Sequence, residues 1–372
     1  MVFTIITQVP HIQFENNYFS YEPYIREMKI WEKYCTKLVV IAPLSKEKIK
    51  SIDDKYTHTN IEFIELKSFN FKTPLAIFKS LYIVFYNFFK IISNCSKSDH
   101  LHIRCPGNIG LLGCIAQLFF PKKTKTVKYA GNWFAGNKQP YSYQFQKYIL
   151  KNTFLTKNCN VLVYGQPKNT SKNIMPFFTA TYLEKDKIFI SPRILSDTIK
   201  FIFVGTLSQG KRPMYAIELI KNLVEKSQKV SLHFYGEGVE KESLLKFCKQ
   251  NNLEKYVFFK GNQPQDIIKK AYQESHFLIL PSLSEGWPKV VAEAMFWSCL
   301  PIATAVSCIP DMLDNENRGL LLDLDLKKDI AKIIDLITNQ ELYNNKANLA
   351  QTWSRIYTLD YFESRIKLLL QQ

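Results

Sequence analysis

The feature that most limits how this chain can fold is an alternation. Short apolar runs rich in β-branched and aromatic residues are separated, along nearly all of its 372 residues, by segments of helical period. Such runs read as strands covered on both faces, and their alternation with helices signals repeated βαβ units and parallel sheets, an α/β class. The first half predicts strands near Val2–Thr7, Lys37–Ile41, Ile61–Leu66, His100–Arg104, Thr126–Ala130 and Val161–Tyr164, with helices near Glu22–Lys33, Pro74–Ser93 and Asn108–Phe119. Pro and polar residues over Ser191–Thr198 mark a boundary. A second series follows, with strands at Lys200–Val204, Val230–Tyr235, Tyr256–Phe259, His276–Leu280, Ile302–Ala305 and Gly319–Leu322, and the chain ends in a helical stretch over Asp360–Leu370.

A chain of this length is too long for one ordinary core. The expected organisation is a Rossmann-like domain over residues 1–196, a second over 197–355, and a C-terminal helix over 356–372 able to return to the first domain. Two such domains in tandem set the ends of two parallel sheets across a cleft, where open α/β sheets bind ligands. The fold does not by itself prove an activity.

Lys and Arg number 49 against 33 Asp and Glu, a formal charge of +16. Residues 1–196 hold 27 of the bases and 12 of the acids, so 27 − 12 = +15 of the charge lies in the first half. Between Glu65 and Glu184 Asp99 is the only acid. This points to an anionic partner for that half, although a lysine-rich solubilising surface explains the same count. The eight cysteines form no Cys-x-x-Cys pair and no zinc spacing with histidine, and read as reduced thiols of a cytoplasmic protein. No metal site is expected. The N-terminus shows no secretion signal, and the apolar stretch Leu75–Ile92 is broken by Lys79 and Lys90, short of the roughly 20 residues that a spanning helix needs.

The sharpest segment runs His276-Phe-Leu-Ile-Leu-Pro-Ser-Leu-Ser-Glu285-Gly-Trp-Pro-Lys-Val-Val-Ala-Glu293. A buried strand ends at Pro281, a loop carries Glu285, Gly286 and Trp287, and Pro288 opens a helix. Backbone N–H groups near Lys289, Val290 and Val291 would suit a diphosphate, with the positive end of the helix dipole behind them. Glu285 before the helix and Glu293 about one turn in suit the hydroxyls of a sugar and a ribose, since carboxylates repel phosphate.

This segment resembles the Glu-x(7)-Glu signature of retaining glycosyltransferases with the GT-B fold, the glycosyl transferases of group 1. The resemblance covers the whole second domain. Phe203-Val-Gly-Thr-Leu-Ser-Gln-Gly-Lys-Arg-Pro looks like the family's opening strand and phosphate-binding loop, which implies that Gly205, Thr206 and Lys211 line the donor diphosphate. The family often places Arg where Thr206 stands, and Arg212 or Lys289 can compensate. Tyr235-Gly236 matches the glycine turn after the second strand, and Phe259-Lys-Gly-Asn-Gln263 the loop that lines the nucleobase. Cys299 stands where Gly usually precedes Leu-Pro, and reads as structural.

The first domain is similar to the family only in outline. The loop after the first strand, Gln8 to Tyr21, holds no glycine. Either polar side chains such as His11, Asn16 or Asn17 approach the donor, or the loop serves the acceptor; His11 reads equally as a satisfied loop histidine. Where many relatives place a histidine, this chain has Ala130-Gly-Asn132-Trp133, so Asn132 and Trp133 become candidates at the reacting centre. His100 and His102 read as structural.

The resemblance implies retaining transfer by front-face attack, from a UDP- or GDP-sugar to a glycan or polyprenyl-diphosphate-linked acceptor in bacterial capsule, O-antigen or lipopolysaccharide synthesis. Lys211 and the amides near Val290 would stabilise the leaving phosphate without a cation or other cofactor. A membrane surface is a further partner open to the basic domain through Leu75–Lys90, a stretch that a buried helix explains as well. Three readings compete. A nucleotide-sugar 2-epimerase or phosphorylase shares the two-domain plan, but an epimerase would carry more acids and histidines in the first domain. A basic nucleic-acid-binding protein fits the charge but finds no recognisable motif. A non-catalytic sugar-binding pair of lobes would show no hydrolysis or transfer with any donor.

Overall fold

The computed structural model describes the chain except residues 68–73, 135–138, 168–169, 192, 196–197 and 372, and the side chains of 74–79. The expected domain boundary at 196/197 therefore lies outside the described residues, as do the side chains at the start of the Leu75–Lys90 stretch. The chain divides into two compact units, Met1–Phe178 with Glu363–Gln372, and Thr179–Phe362.

The first unit contains β1 (Val2–Ile6), β2 (Ile12–Phe14), β3 (Asn17–Tyr21), α1 (Glu22–Glu32), β4 (Lys37–Pro43), β5 (Asp53–Lys55), β6 (Ile61–Leu66), α2 (Pro74–Ser96), β7 (His100–Cys105), α3 (Asn108–Ala116), β8 (Thr124–Tyr129), α4 (Tyr141–Lys151), β9 (Cys159–Val163) and β10 (Ile174–Pro176). Seven strands form a parallel sheet in the order β10-β9-β8-β7-β1-β4-β6. Its centre is fully buried, with Phe3, Ile5, Val40, Ile41, Ile103 and Val161 all inaccessible. The stretch read as a loop after the first strand is instead a hairpin. β2 and β3 pair antiparallel around Glu15, which takes the left-handed conformation at φ 52, and β5 pairs with β3. Helix α4 and strand β10 were not expected.

The second unit contains β11 (Ile199–Val204), α5 (Pro213–Glu225), β12 (Val230–Tyr235), α6 (Lys241–Gln250), β13 (Val257–Phe259), α7 (Gln265–Glu274), β14 (Phe277–Leu280), α8 (Lys289–Phe296), β15 (Leu300–Thr304), α9 (Ile309–Met312), β16 (Leu320–Leu322), α10 (Leu326–Thr338) and α11 (Gln340–Ser354). A last helix, α12 (Leu359–Leu370), starts here and ends in the first unit, where Lys33 Nζ lies 2.6 Å from Glu363 Oε2. The six strands are parallel in the order β13-β12-β11-β14-β15-β16. The order reverses between β11 and β14, and at such a switch point the loops leaving two adjacent strands diverge and open a crevice.

Arg193 ties the segment entering this unit to its helices. Its guanidinium donates to the carbonyls of Tyr272 (3.0 Å) and Gln273 (2.9 Å) at the end of α7, and to Trp297 (2.6 Å) and Ser298 just past α8.

Candidate active site

The loops after β11, β12 and β13 are stitched together by backbone hydrogen bonds. Gly205 N–H donates to Tyr235 O and Gly236 N–H to Gly261 O, both at 2.9 Å, and Leu207 N–H reaches Glu237 O at 3.0 Å. Gly236 sits at φ +149, and a Cβ there would lie 2.0 Å from the Gly205 carbonyl oxygen. Only glycine allows this approach.

At the switch point, the loop after β11 meets the loop after β14. Lys211 Nζ lies 2.5 Å from Glu285 Oε1, with the carboxylate side chain only 10% exposed. Leu283 N–H donates to Gly210 O at 2.8 Å. On its far side the same loop is held from the end of β15: Thr304 Oγ1 donates to Ser282 O at 2.6 Å, Ser307 Oγ to Gly286 O at 2.9 Å, and Cys308 Sγ to the same Gly286 oxygen at 3.4 Å. Burial pushes the Cys308 thiol up to about 12, so it remains an S–H donor.

The structure brings Gly205, Lys211, Glu285, Gly286 and the start of α8 to one end of one sheet. It narrows the anion-facing set of amides, because Val291 N–H is taken by Pro288 O at 2.9 Å, leaving the first-turn N–H of Val290 nearest the expected role. Pro288 is the residue before the helix and provides no side-chain cap. Glu293 is held internally: its Oε1 accepts from Thr181 Oγ1 at 2.7 Å and its Oε2 from Tyr272 OH at 3.3 Å. Trp287 turns toward α11, stacking on Trp353 with ring centroids 6.4 Å apart and meeting Tyr357 edge-on at 5.8 Å. Arg212 takes the left-handed conformation at φ 51 just before α5, and Thr206 is exposed beside Gly205. Gln263 is half-buried, its Nε2 donating to Lys260 O at 2.6 Å. The grip of Thr304, Ser307 and Cys308 on the Glu285 loop had no signal in spacing or composition. Cys299 is fully buried, as a structural residue would be.

In the first unit, His11 is inaccessible, bonded to Val9 O (2.8 Å) and Tyr56 OH (3.0 Å), and desolvation lowers its pKa to about 4. This is a neutral loop histidine with both ring nitrogens satisfied. Trp133 is 4% exposed and packs edge-on against Tyr129, its carbonyl accepting from Lys147 Nζ at 2.7 Å, so it belongs to the core. Asn132 Oδ1 accepts from Phe134 N–H at 2.9 Å, which leaves its amide donors to offer a ligand. Asn16 is exposed at the hairpin turn, and Asn17 Oδ1 accepts from Lys55 Nζ at 3.3 Å. His100 and His102 share the Thr126 hydroxyl inside the sheet. Three lysines counted in the basic surplus also turn inward: Lys125, Lys128 and Lys147 are buried, their ammonium groups bonded to Phe120 O, Phe178 O and Trp133 O. Burial lowers Lys147 to about 8. These three ammonium groups are therefore not placed to contact a partner directly.

The fold is that of GT-B glycosyltransferase structures. HepE from Anabaena, solved in complex with UDP, superposes with a TM-score of 0.71 at 13% identity, over 100% of this chain and 99% of that one. Residues 184–353 match the family described as Glycosyl transferases group 1. Protein CapJ of Staphylococcus aureus is 25% identical over 360 residues, 92% of this chain and 87% of CapJ. The poly(ribitol-phosphate) alpha-N-acetylglucosaminyltransferase of S. aureus strain COL is 26% identical over 201 residues, 53% of this chain and 40% of that enzyme. Together these support a GT-B glycosyltransferase.

Proposed function

We propose that this chain is a retaining glycosyltransferase that moves a sugar from a nucleotide-sugar held by the second unit to a glycan or polyprenyl-diphosphate-linked acceptor in the synthesis of a bacterial surface polysaccharide. The observation that carries the reading is the Lys211–Glu285 pair, set at the switch point of the second sheet beside the start of α8. Lys211 and the Val290 amide meet the diphosphate; Glu285 meets sugar hydroxyls. In the transfer, the bond between the anomeric carbon and the diphosphate oxygen breaks as the acceptor oxygen bonds the same face of that carbon. The acceptor proton passes to the departing phosphate oxygen. The protein's contribution is preorganised positive charge where negative charge develops, which also removes the need for a cation. The resemblance to the Glu-x(7)-Glu signature supports the retaining outcome, and the UDP bound to HepE supports a uridine donor, GDP being the alternative.

The poly(ribitol-phosphate) acceptor of the staphylococcal relative supports an anionic acceptor for the basic unit. An anionic bilayer on the cytoplasmic side is part of the same proposal. Leu81, Tyr82, Phe85 and Phe89 stand exposed on α2, Phe119 lies exposed nearby, and the sequence around them holds almost no acid. No helix among the described residues is long and apolar enough to cross a membrane.

Thermal stabilisation by UDP, GDP and their sugars tests the reading. A ligand at 100 times its dissociation constant adds about 2.7 kcal/mol. Stabilisation by UDP or GDP that depends on Lys211 is expected; salt-dependent binding of nucleic acid with no response to any nucleotide would overturn it.

A further inference from the structure

Ser307 occupies a backbone conformation that serine rarely adopts. Its φ is 54, in the left-handed region, where a non-glycine residue costs roughly 1–2 kcal/mol. Glycine would remove that strain, so serine's presence asks what its side chain does. Its hydroxyl donates to the Gly286 carbonyl at 2.9 Å, and the next residue, Cys308, directs its thiol to the same oxygen at 3.4 Å. Gly286 directly follows Glu285. The opposite side of that loop is held by the Leu283–Gly210 backbone bond and the Lys211–Glu285 ion pair. The carboxylate is thus suspended between the loop after β11 and the loop after β15, and Ser307 forms the nearer contact of the second support. Burial keeps Cys308 protonated, and the charge of Glu285 adds to this effect, which places the thiol within electrostatic reach of the carboxylate.

We infer that Ser307, assisted by Cys308, is a positioning residue that fixes Glu285 against the donor sugar. The inference rests on the donor-site reading above. It separates two quantities that a purely structural role would move together. Replacing Ser307 with glycine relieves the backbone and releases the loop, so stability holds or rises while the chemical step slows.

The test uses the full chain with UDP as the binding probe. Turnover is measured with whichever of UDP-GlcNAc, UDP-GalNAc, UDP-glucose and UDP-galactose gives the largest thermal shift. Ser307→Gly is expected to keep or raise Tm, to bind UDP within about twofold of wild type, and to lose about tenfold or more in kcat, because small misplacements of a reacting constellation are expensive. Ser307→Ala, which keeps the strain and lacks the hydroxyl, should lose kcat likewise at a lower Tm than the glycine variant. Wild-type kcat in Ser307→Gly overturns the inference. Glu285→Ala run in parallel tells the two failures apart: if it is inactive while Ser307→Gly is fully active, the positioning role alone fails; if it is fully active, the donor-site reading fails and the inference with it.

Discussion

Lys211 and Glu285, 74 positions apart, form an ion pair 2.5 Å long, so the cation assigned to the diphosphate already has a carboxylate beside it. On the proposed reading, a nucleotide that enters would share Lys211 with Glu285. Removing the lysine would therefore leave a carboxylate, 10% exposed, next to the proposed phosphate site without its ion-pair partner.

Lys211→Ala should lower turnover by roughly 10²–10³-fold, the usual loss for one preorganised donor, and Glu285→Ala, which takes away the acceptor of the sugar hydroxyls, should also lower it severely, with circular dichroism unchanged in both. UDP affinity should fall in Lys211→Ala and recover in part in Lys211→Ala/Glu285→Gln, with turnover still low in the double variant. Calorimetry with UDP checks this. No recovery in the double variant would mean that Glu285's charge does not act on the phosphate site.

Gly236→Ala should destabilise the second unit by about 3 kcal/mol, combining the approach to Gly205 O with an unfavourable φ. Gly210→Ala, where a Cβ meets nothing within 4 Å, should be close to neutral. Urea midpoints for the two variants measure the contrast; similar midpoints would refute the stitched-loop description.

Acid should weaken the first unit well above the carboxylate range. His11 and His100 each titrate near 4 in the folded chain because burial disfavours the imidazolium, against 6.5 when unfolded. The unfolded chain binds the extra protons, so this contribution is complete above pH 6.5 and is lost as pH falls toward 4. At pH 5.5 each histidine loses about 1.4 kcal/mol. Tm should drop steadily over that window, and His11→Gln should flatten the drop. An equal slope in the variant would contradict the assignment.

Vesicles containing phosphatidylglycerol should bind the wild-type chain in flotation assays, less so at high salt, while phosphatidylcholine vesicles should not. Phe85→Ser/Phe89→Ser should lower partitioning by about tenfold or more through lost apolar contact. Equal flotation of the double variant would remove α2 from the proposed surface.

What the sequence disclosed follows from the range of the interactions involved. Ile61–Leu66 and Val230–Tyr235 were legible to the residue, because four of the six positions in each are apolar and mostly β-branched or aromatic, even where Glu62, Glu65, Ser231 and His233 interrupt them. The hairpin Ile12–Tyr21 was not, since its strands are short and only partly buried, and its turn rests on Glu15 and Asn16 rather than glycine. Helix Tyr141–Lys151 escaped because tyrosine and glutamine dominate it and no side chain caps its start. In the site, Lys211 and Glu285 were readable from their own loops, but their pairing was not. Nor were the bonds that hold Glu293 from Thr181, 112 residues earlier, and Gly286 from Ser307.

Arg193 gives helix α8 a fixed counter-charge at one end only. Its guanidinium binds the carbonyls of Trp297 and Ser298, where the helix presents partial negative charge, while the first turn, preceded by Pro288, has no side-chain cap. With one pole neutralised from within the protein, the other is left for whatever anion arrives. An arginine some hundred positions away from that helix in the chain thus helps keep its amino end receptive, and its loss should be felt as weaker nucleotide binding as well as a looser fold.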